Sequence, residues 1–197
     1  MAVTDHSELE SRTSKRARIL DAALDLFVEH GFHGTAVPAL ADRAGVGAGT
    51  IYRYFENKEA LVNELYRACK AEVASHVTAC MSLEVEPREL FARFWRTTVG
   101  YASAHPRAFA FLELHHHASY LDADSRAMEE RVYTLSESFL GWMRERMAIK
   151  DLPPPIMMAV VYGALIGFVR GAWEGRYPLD ETHIAAAELC AWEAIRR

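Results

Sequence analysis

Apolar residues recur every three or four positions along most of this chain, which is the period of amphipathic α-helices. The first such helix is predicted from about Thr13 to His30, after a polar stretch at residues 1–12 that we expect to be a flexible tail. Its apolar stripe consists of Ile19, Ala22, Ala23, Leu26 and Phe27. No segment has the alternating pattern of a strand, so the sequence predicts an all-α protein.

Two short helices joined by a glycine turn are predicted between residues 35 and 55. Gly45 would supply the left-handed conformation that ends the first of them. In the second helix, Ile51 and the phenylalanine four positions later face inward. Since each residue turns a helix by about 100°, Gly49 and Arg53 point away from that pair. This arrangement is suited to contacts with DNA bases and phosphates in a major groove.

Further helices are predicted over the rest of the chain, bounded by prolines, glycines and polar residues. A long helix after Asn57 keeps the helical period as far as Cys80, so we expect it to connect two domains. The helices that follow are predicted to begin near Pro87, Arg107, Asp124, Ile156 and Asp180. The apolar run 156–169 is too short to span a membrane and is interpreted as a buried helix, so no membrane partner is expected.

The net charge gives little support for DNA binding. The chain carries −5 overall, and its first 59 residues hold seven basic and nine acidic side chains. A DNA-binding function must therefore depend on where cations lie and not on their number. One basic cluster is unopposed within its segment and comprises Arg12, Lys15, Arg16 and Arg18. It is interpreted either as the solvated start of a helix or as an arm that contacts phosphates or a minor groove.

Three cysteines without metal-type spacing and an N-terminus without an apolar signal segment favour a reduced, cytoplasmic protein. His115, His116 and His117 suggest metal binding, but neighbours on a helix point about 100° apart and cannot converge on one ion. Glu113 with His117 could chelate, yet no second pair exists at metal spacing. No metal or cofactor is therefore expected, and these histidines are assigned to a pocket or to the surface. No nucleophile lies near a base, so an enzyme is not expected either.

The N-terminal third of the chain resembles one known family. The residues that carry the resemblance are RILDAA at 18–23, LF at 26–27, GF at 31–32, Thr35, AGV at 44–46, GTIY at 49–52, YF at 54–55 and Lys58. In this order they are similar to the DNA-binding domain of TetR/AcrR-type transcriptional regulators, over roughly residues 13–73. The resemblance implies a three-helix helix-turn-helix domain at 13–57, with its motif at 36–55. It also implies a larger helical ligand-binding and dimerisation domain at 58–197.

The DNA contacts implied by the resemblance lie in and around the second short helix. Phosphate, backbone and base-edge contacts are implied for Thr35, Gly49, Thr50, Tyr52, Tyr54 and Lys58. Thr35 is also expected to be the N-cap of the first short helix. Gly47 and Ala48 depart from the family, because a hydroxyl and a basic or polar side chain are frequent there. Arg53 is expected to compensate by reading a guanine in each half-site, since an outward arginine can bond guanine O6 and N7 together.

The second domain is dense in aromatic residues, most of which must form its core. A subset is expected to line an effector pocket, with the candidates Phe91, Trp95, Phe109, Glu113, His117, Tyr133, Trp142 and Phe168. Three glycines, Gly163, Gly167 and Gly171, allow close packing either inside one subunit or across a two-fold interface. By analogy with the family we favour the interface, to which the last helix would contribute Ala185, Leu189 and Trp192.

These expectations together describe a ligand-responsive transcriptional regulator. A homodimer would bind a palindromic operator in double-stranded DNA at successive major-groove faces. A small apolar or amphipathic effector in the second domain would shift the helix after Asn57 and release the DNA. Repression is the expected outcome, and activation stays open. The alternative is a helical small-molecule or metal sensor that does not bind DNA, suggested by Gly47 and Ala48.

Overall fold

Nine α-helices make up the described part of the chain. The computed structural model describes residues 6–81 and 84–197, and within them an isolated bridge between Ile149 and Arg196 is the only strand-like pairing. The all-α prediction is confirmed. The helices are α1 His6–Gly34, α2 Val37–Ala44, α3 Ala48–Tyr54, α4 Lys58–Cys80, α5 Pro87–Ala104, α6 Pro106–Leu114, α7 Ala123–Glu145, α8 Pro154–Trp173 and α9 Glu181–Ile195.

The N-terminal helix is longer than predicted. α1 begins at His6 instead of Thr13, so part of the stretch expected to be a flexible tail has a helical backbone, while residues 1–5 lie outside the described residues. Near its other end, Gly31 leaves the helical conformation with φ 70° and ψ 172°, which kinks the chain before α2. The N-cap of α2 is Ala36, and no side chain caps it. The prediction of Thr35 as the N-cap is therefore wrong.

The helices form two compact units, and the first combines the residues up to Lys70 with Arg107–Ser125. The apolar stripe predicted for α1 is buried in this unit. Its fully buried side chains also include Leu40, Ile51, Leu61, Tyr66 and Phe111. The unit is larger than the predicted domain at 13–57, because the first half of α4 and α6 from Arg107 onward complete its core.

Polar contacts attach α6 and the segment after it to α1 and α4. Arg107, at the start of α6, forms an ion pair with Asp25 of α1, and this hydrogen-bonded carboxylate raises the pKa of the guanidinium. The side chain of Asn63 in α4 is 2% exposed; it donates to the carbonyl of Tyr120 and accepts from the amide of Asp122. A buried amide that is paired on both sides fixes the segment that it binds. Helical periodicity did not indicate these contacts.

The second unit comprises Ala71–Pro106 and Arg126–Arg197, and its core lies among α5, α8 and α9. Phe91 of α5 contacts Trp192 of α9, with the ring centroids 5.3 Å apart. Arg88 of α5 forms a bidentate ion pair with Glu188 of α9, at 2.7 and 2.8 Å. Since Glu188 is only 5% exposed, its charge is buried against this one guanidinium.

Helix α8 is longer than the apolar run from which it was predicted. Its 20 residues include a window of mean hydropathy 1.6, which is enough to cross a membrane by length and composition alone. The core helix of a soluble protein meets the same two criteria. Met157, Val161, Leu165 and Val169 lie at helical spacing on one buried face, and α8 contacts both α5 and α9. Only 33% of that window is buried, so the interpretation as a buried helix holds for this one face of α8, while Ile156 and Val160 are exposed.

The Arg88–Glu188 pair generates a stability prediction. Arg88→Ala leaves a buried carboxylate without its partner and should lower the free energy of unfolding by about 2–3 kcal/mol, since the guanidinium itself is partly exposed. Arg93→Ala is the matched control, because Arg93 lies on the same helix and pairs with Glu89 at the surface; it should cost less than about 0.5 kcal/mol. Urea denaturation followed by circular dichroism measures both. Equal small losses would contradict the buried-charge account.

Candidate nucleic-acid interface

The turn between α2 and α3 has the geometry that the sequence predicts. Gly45 adopts φ 62° and ψ 43°, and its amide donates to the carbonyls of Ala41 and Asp42 at the end of α2. The amide of Val46 also donates to the carbonyl of Ala41, at 2.9 Å. A left-handed residue with these bonds ends the helix and reverses the chain.

Helix α3 buries one side and presents the other to solvent. Ile51 is 2% exposed and Phe55, which follows the helix, is 3% exposed, so both face inward. Gly47 is the N-cap and has no side chain to cap the helix. The amide of Thr50 instead bonds the carbonyl of Gly47 at 2.8 Å. The missing hydroxyl at residue 47 is thus replaced in part by a backbone contact.

The exposed residues of α3 form a surface that we call the α3 outer surface. It consists of Ala48, Gly49, Tyr52 and Arg53, flanked by the half-buried Thr50 and Tyr54. No atom of the described chain comes within 4 Å of the place where a side chain at Gly49 would begin. The packing of the protein therefore does not require glycine there, and the helix backbone is open to close approach from outside.

Arg53 is the one cation of α3. Within the described part of the chain, no hydrogen bond, ion pair or aromatic ring occupies its guanidinium. Tyr52 beside it is 55% exposed. A solvent-exposed arginine without an internal partner keeps its planar fork of donors available, which is the group that binds guanine edges and phosphates.

Thr35 does not present its hydroxyl to the outside. The residue is 2% exposed, and its Oγ1 donates to the carbonyls of Gly31 and Leu26, at 2.8 and 3.1 Å. The reason lies in the kink at Gly31, where α1 is interrupted and a carbonyl needs a donor other than the next turn of helix. The phosphate contact expected of the Thr35 hydroxyl is therefore withdrawn.

Lys58 is likewise directed into the first unit. Its Nζ donates to the carbonyls of Phe32 and Thr35, at 2.8 and 2.9 Å, and lies 4.2 Å from the centroid of the Phe32 ring. Two hydrogen bonds and a cation–π contact occupy most of what an ammonium group can offer. These internal contacts were not predicted, and the phosphate contact that the resemblance implies for Lys58 stays a prediction.

The basic cluster of α1 is also largely engaged. Arg16 pairs with Glu64 and lies 5.6 Å from the ring centroid of Phe55, while Arg18 donates to the end of α2. Lys15 is exposed and without a described partner. The side chain of Arg12 lies outside the described residues. The expectation of an unopposed cluster is thus wrong for Arg16 and Arg18.

The candidate effector residues do not belong to one unit. Phe109, Glu113 and His117 lie in the first unit, whereas the others lie in the second: Phe91, Trp95, Tyr133, Trp142 and Phe168. Helical spacing alone could not distinguish these locations, because α6 contacts α1 and the segment after it contacts α4. The first three are therefore not part of a pocket built within the second unit.

The three consecutive histidines lie after α6, which ends at Leu114, so the helical argument about their directions does not apply. His117 is 8% exposed; its Nε2 donates to the carbonyl of Phe111 at 2.6 Å. Its Nδ1 accepts from the hydroxyl of Tyr120, also at 2.6 Å, and burial raises the pKa of Tyr120 to about 12. These bonds account for His117 as a core residue that caps the last turn of α6.

Trp95 stands out in the second unit. It is fully buried, with the rings of Phe91 and Phe168 at 6.2 and 6.3 Å. Among the described side chains, its indole Nε1 is the only buried nitrogen or oxygen without a hydrogen-bond partner. An orphaned buried donor costs about 1–3 kcal/mol, so it marks a place where a group from outside the chain would be stabilising.

The small-residue stripe of α8 has two parts. A side chain at Gly171 would overlap the hydroxyl of Tyr177, which donates to the carbonyl of Phe168, so this glycine is required within one subunit. At Gly163 and Gly167 no described atom lies within 4 Å. On α9, Leu189 is 50% exposed and Ala185 half-buried, whereas Trp192 is 8% exposed against α5. Gly171 and Trp192 are thus explained by packing inside the subunit.

Two family models match the chain, and together they cover residues 19–197. Residues 19–65 match the model of bacterial regulatory proteins of the tetR family, and residues 66–197 match that of the tetracyclin repressor-like C-terminal domain. The first matched segment contains the α3 outer surface and the two helices before it. The second matched segment alone is more than half of the chain.

Individual relatives agree with these matches. The chain is 26% identical over 165 residues to the probable acrEF/envCD operon repressor of Escherichia coli K12, covering 79% of this chain and 74% of that protein. It is 39% identical over 59 residues to the fatty acid metabolism regulator protein of Bacillus subtilis. This match covers 30% of this chain and 30% of that protein. A TetR family transcription regulator from Marinobacter aquaeolei has a similar structure, with TM-score 0.83 and 25% identity, covering 95% of this chain and 98% of that one.

Arg53 generates a prediction about sequence reading. Arg53→Ala should weaken binding to a duplex that the wild-type protein selects by about 1–3 kcal/mol and should weaken binding to a scrambled duplex much less. Fluorescence anisotropy at fixed salt on the two duplexes measures the difference. An equal loss on both would make Arg53 a phosphate contact and not a reader of bases.

Proposed function

Because this chain belongs to the TetR family of bacterial regulatory proteins, we propose that it is a ligand-responsive repressor that binds a palindromic operator as a homodimer. It is a DNA-binding transcription regulator, and its relatives are transcription regulators and not enzymes. The observation that carries the proposal is the α3 outer surface, where Arg53, Tyr52 and Gly49 are exposed and have no role in packing. We propose a cytoplasmic location, where the operator DNA would be.

Base reading is assigned to Arg53, supported by the lack of any internal partner for its guanidinium. Tyr52 and Tyr54 would contact phosphates through their hydroxyls, while Gly49 and Thr50 would lie against the DNA backbone and base edges. At the start of α3, near Gly47 and Ala48, backbone N–H groups would donate to a phosphate. They would replace part of the contact that a side-chain hydroxyl at residue 47 would make.

The dimer is proposed to form through α8 and α9. Gly163 and Gly167 support this assignment, because nothing inside the subunit requires glycine at either position and a neighbouring helix could approach closely. The same two helices also carry exposed apolar side chains, which are Ile156 and Val160 on α8 and Leu189 on α9. A two-fold interface would bury this apolar surface in each subunit.

The effector is proposed to be an apolar or amphipathic molecule that carries a hydrogen-bond acceptor. Trp95 supports the acceptor, since its buried N–H has no partner in the described chain and an acceptor on a ligand would satisfy it. Phe91, Phe168, Tyr133 and Trp142 remain candidates for the apolar lining. One relative, which matches 59 residues of this chain, is named a fatty acid metabolism regulator, and an amphipathic effector would fit that name.

Release of DNA would follow a shift of α4. This helix contributes residues to both units, from Lys58 to Lys70 and from Ala71 to Cys80. An effector with higher affinity for the released state would favour it in proportion to that difference. Repression is proposed because relatives of this chain are named as repressors. A transcription assay on templates with and without the operator would distinguish repression from activation.

The proposed function is tested by selection of duplexes from a random-sequence library, followed by sequencing. Enrichment of an inverted repeat that binds the purified protein, and binds its scrambled version far less, is expected. Recovery of no enriched sequence would favour the alternative of a helical small-molecule or metal sensor without DNA binding, for which the departures at Gly47 and Ala48 are the motivation.

The dimer proposal predicts that Gly167→Leu yields a monomer, because a leucine would occupy the space that the partner helix needs. Size-exclusion chromatography with light scattering measures the mass. Gly141→Leu is the matched control, since Gly141 is also an interior glycine of a helix, α7, with no described atom within 4 Å. It should leave the dimer intact, and a Gly167→Leu variant with dimer mass would contradict the assignment.

The effector proposal predicts a hydrogen bond to Trp95 that nuclear magnetic resonance can detect. The protein has four tryptophans, so ¹⁵N labelling yields up to four indole signals, and the one missing in Trp95→Phe identifies Trp95. Acetophenone should shift this signal downfield, whereas ethylbenzene, which lacks the carbonyl oxygen, should not. A Trp95 signal that responds to both probes alike, or to neither, would contradict a role for its N–H in effector binding.

A further inference from the structure

We propose that Tyr177 closes the effector site beside Trp95, and that a flat aromatic molecule with a hydroxyl group enters by taking the place of the Tyr177 ring. The proposal deepens the effector part of the proposed function and rests on it. We call the surroundings of this ring the Tyr177 seat: the ring and the carbonyl of Phe168, the backbone at Gly171 and the ring of His183.

The indole N–H of Trp95 cannot be reached from solvent unless a neighbouring side chain moves. The residue is 0% exposed, and its donor has no partner in the described chain. Two rings lie beside it, and one of them, Phe91, is itself only 2% exposed. The other, Phe168, is half-buried and stacks on Tyr177, which is also half-buried. The route from solvent to the unpaired donor therefore passes Phe168 and Tyr177.

The Tyr177 seat has the groups that a phenol requires. The hydroxyl of Tyr177 donates to the carbonyl of Phe168 at 2.9 Å, and its ring is nearly parallel to those of Phe168 and His183, at 13° and 7°. A side chain at Gly171 would overlap this hydroxyl, so the glycine leaves space for it. The His183 ring is fixed, because its Nδ1 donates to the carboxylate of Asp180 at 2.7 Å.

The segment that carries Tyr177 is weakly attached to the rest of the second unit. Residues 173–176 and 178 are exposed, and Gly175 takes φ 73° where the chain leaves α8. Among the hydrogen bonds of the described chain, segment 177–179 takes part in one, the bond from the Tyr177 hydroxyl. Such a segment opens more readily than the helices on either side. A ligand that makes the same stack and the same hydrogen bond replaces what the protein loses when Tyr177 leaves.

The test measures the dissociation constant of p-cresol, which has the ring and hydroxyl of a tyrosine side chain, by ¹H–¹⁵N nuclear magnetic resonance titration. A site that is mostly closed binds in proportion to its open fraction. Tyr177→Phe lacks the closing hydrogen bond and should bind p-cresol about fivefold more tightly than wild type; Tyr177→Ala should gain about tenfold or more. Toluene has no hydroxyl and should bind Tyr177→Ala about tenfold more weakly than p-cresol does.

Two further variants locate the binding site. Tyr162→Phe is the matched control, since Tyr162 is also a half-buried tyrosine of the second unit, with its ring beside Phe94, and it should bind p-cresol like wild type. Gly171→Ala fills the space of the hydroxyl and should abolish binding. Equal affinities of wild type and both Tyr177 variants, no binding by any of them, or unchanged binding by Gly171→Ala would overturn the proposal. Where Tyr177→Ala folds poorly by circular dichroism, Tyr177→Phe decides.

A measurement with DNA separates this proposal from the function on which it rests. On the selected duplex, p-cresol should release Tyr177→Phe at about fivefold lower concentration than wild type. Release of both proteins at the same concentration would overturn the role of Tyr177. A wild-type protein that selects no duplex would instead refute the proposed regulator, while the titration, which needs no DNA, would still decide whether the Tyr177 seat binds a phenol.

Discussion

A recognition helix of seven residues cannot hold its own conformation in water, so its position is imposed by the helices around it. In this protein the constraint acts through α2. Ile51 and Phe55 attach α3 to the core on one side, and the Gly45 turn attaches it to α2 on the other. Everything that the protein would present to DNA therefore depends on where α2 lies.

Fixing α2 uses charge that the sequence suggested for DNA. Arg18 and Lys58 bind backbone carbonyls on either side of α2. Two cations that the sequence did not suggest for DNA are also engaged, since Arg43 of α2 pairs with Glu29 and Arg107 of α6 pairs with Asp25. The Arg43 guanidinium, in turn, lowers the pKa of the Glu29 carboxyl through a hydrogen bond. Among the lysines and arginines in the described part of the first unit, Lys15, Arg53 and Lys70 have no hydrogen bond or ion pair, and Lys70 lies 5.9 Å from the ring centroid of Tyr66. The account therefore assigns DNA affinity to a few well-placed groups and to the shape of α3.

The two-unit arrangement has a related origin. Asn63 and Arg107 attach the segment Arg107–Ser125 to α1 and α4, although this segment follows α5 of the second unit in the chain. The chain passes between the units within α4, after the first residue of α6 and within α7. A proposed effector in the second unit thus has three covalent connections to the helices that hold α3.

The sequence predicts those features that depend on spacing and local conformation. The inward pair Ile51 and Phe55 follows from the helical period, and the turn at Gly45 follows from its lack of a side chain. The sequence did not predict contacts between residues that are distant in the chain. Lys58, for example, lies 26 and 23 positions from its partners Phe32 and Thr35. Periodicity indicates that a side chain is buried but does not identify the neighbour.

The same limit applies to the candidate effector residues. Phe109 and His117 have the composition expected of a pocket, yet α6 packs in the first unit and His117 caps its last turn. Only the contacts of α6 with α1, and of the segment after α6 with α4, distinguish that location. Thr35 was misread for a similar reason, since the kink at Gly31 creates carbonyl acceptors that no local pattern reveals.

The central claim is that few cations of the first unit remain available for DNA. The most direct test is the salt dependence of wild-type binding to its selected duplex. Lys15 of two subunits, with a contribution from Arg12, predicts a slope of log affinity against log salt between about −2 and −4, since Arg53 is assigned to bases. A slope of about −5 or steeper would require further cations, such as Arg18 and Lys58, to bind phosphates as well and would contradict the account.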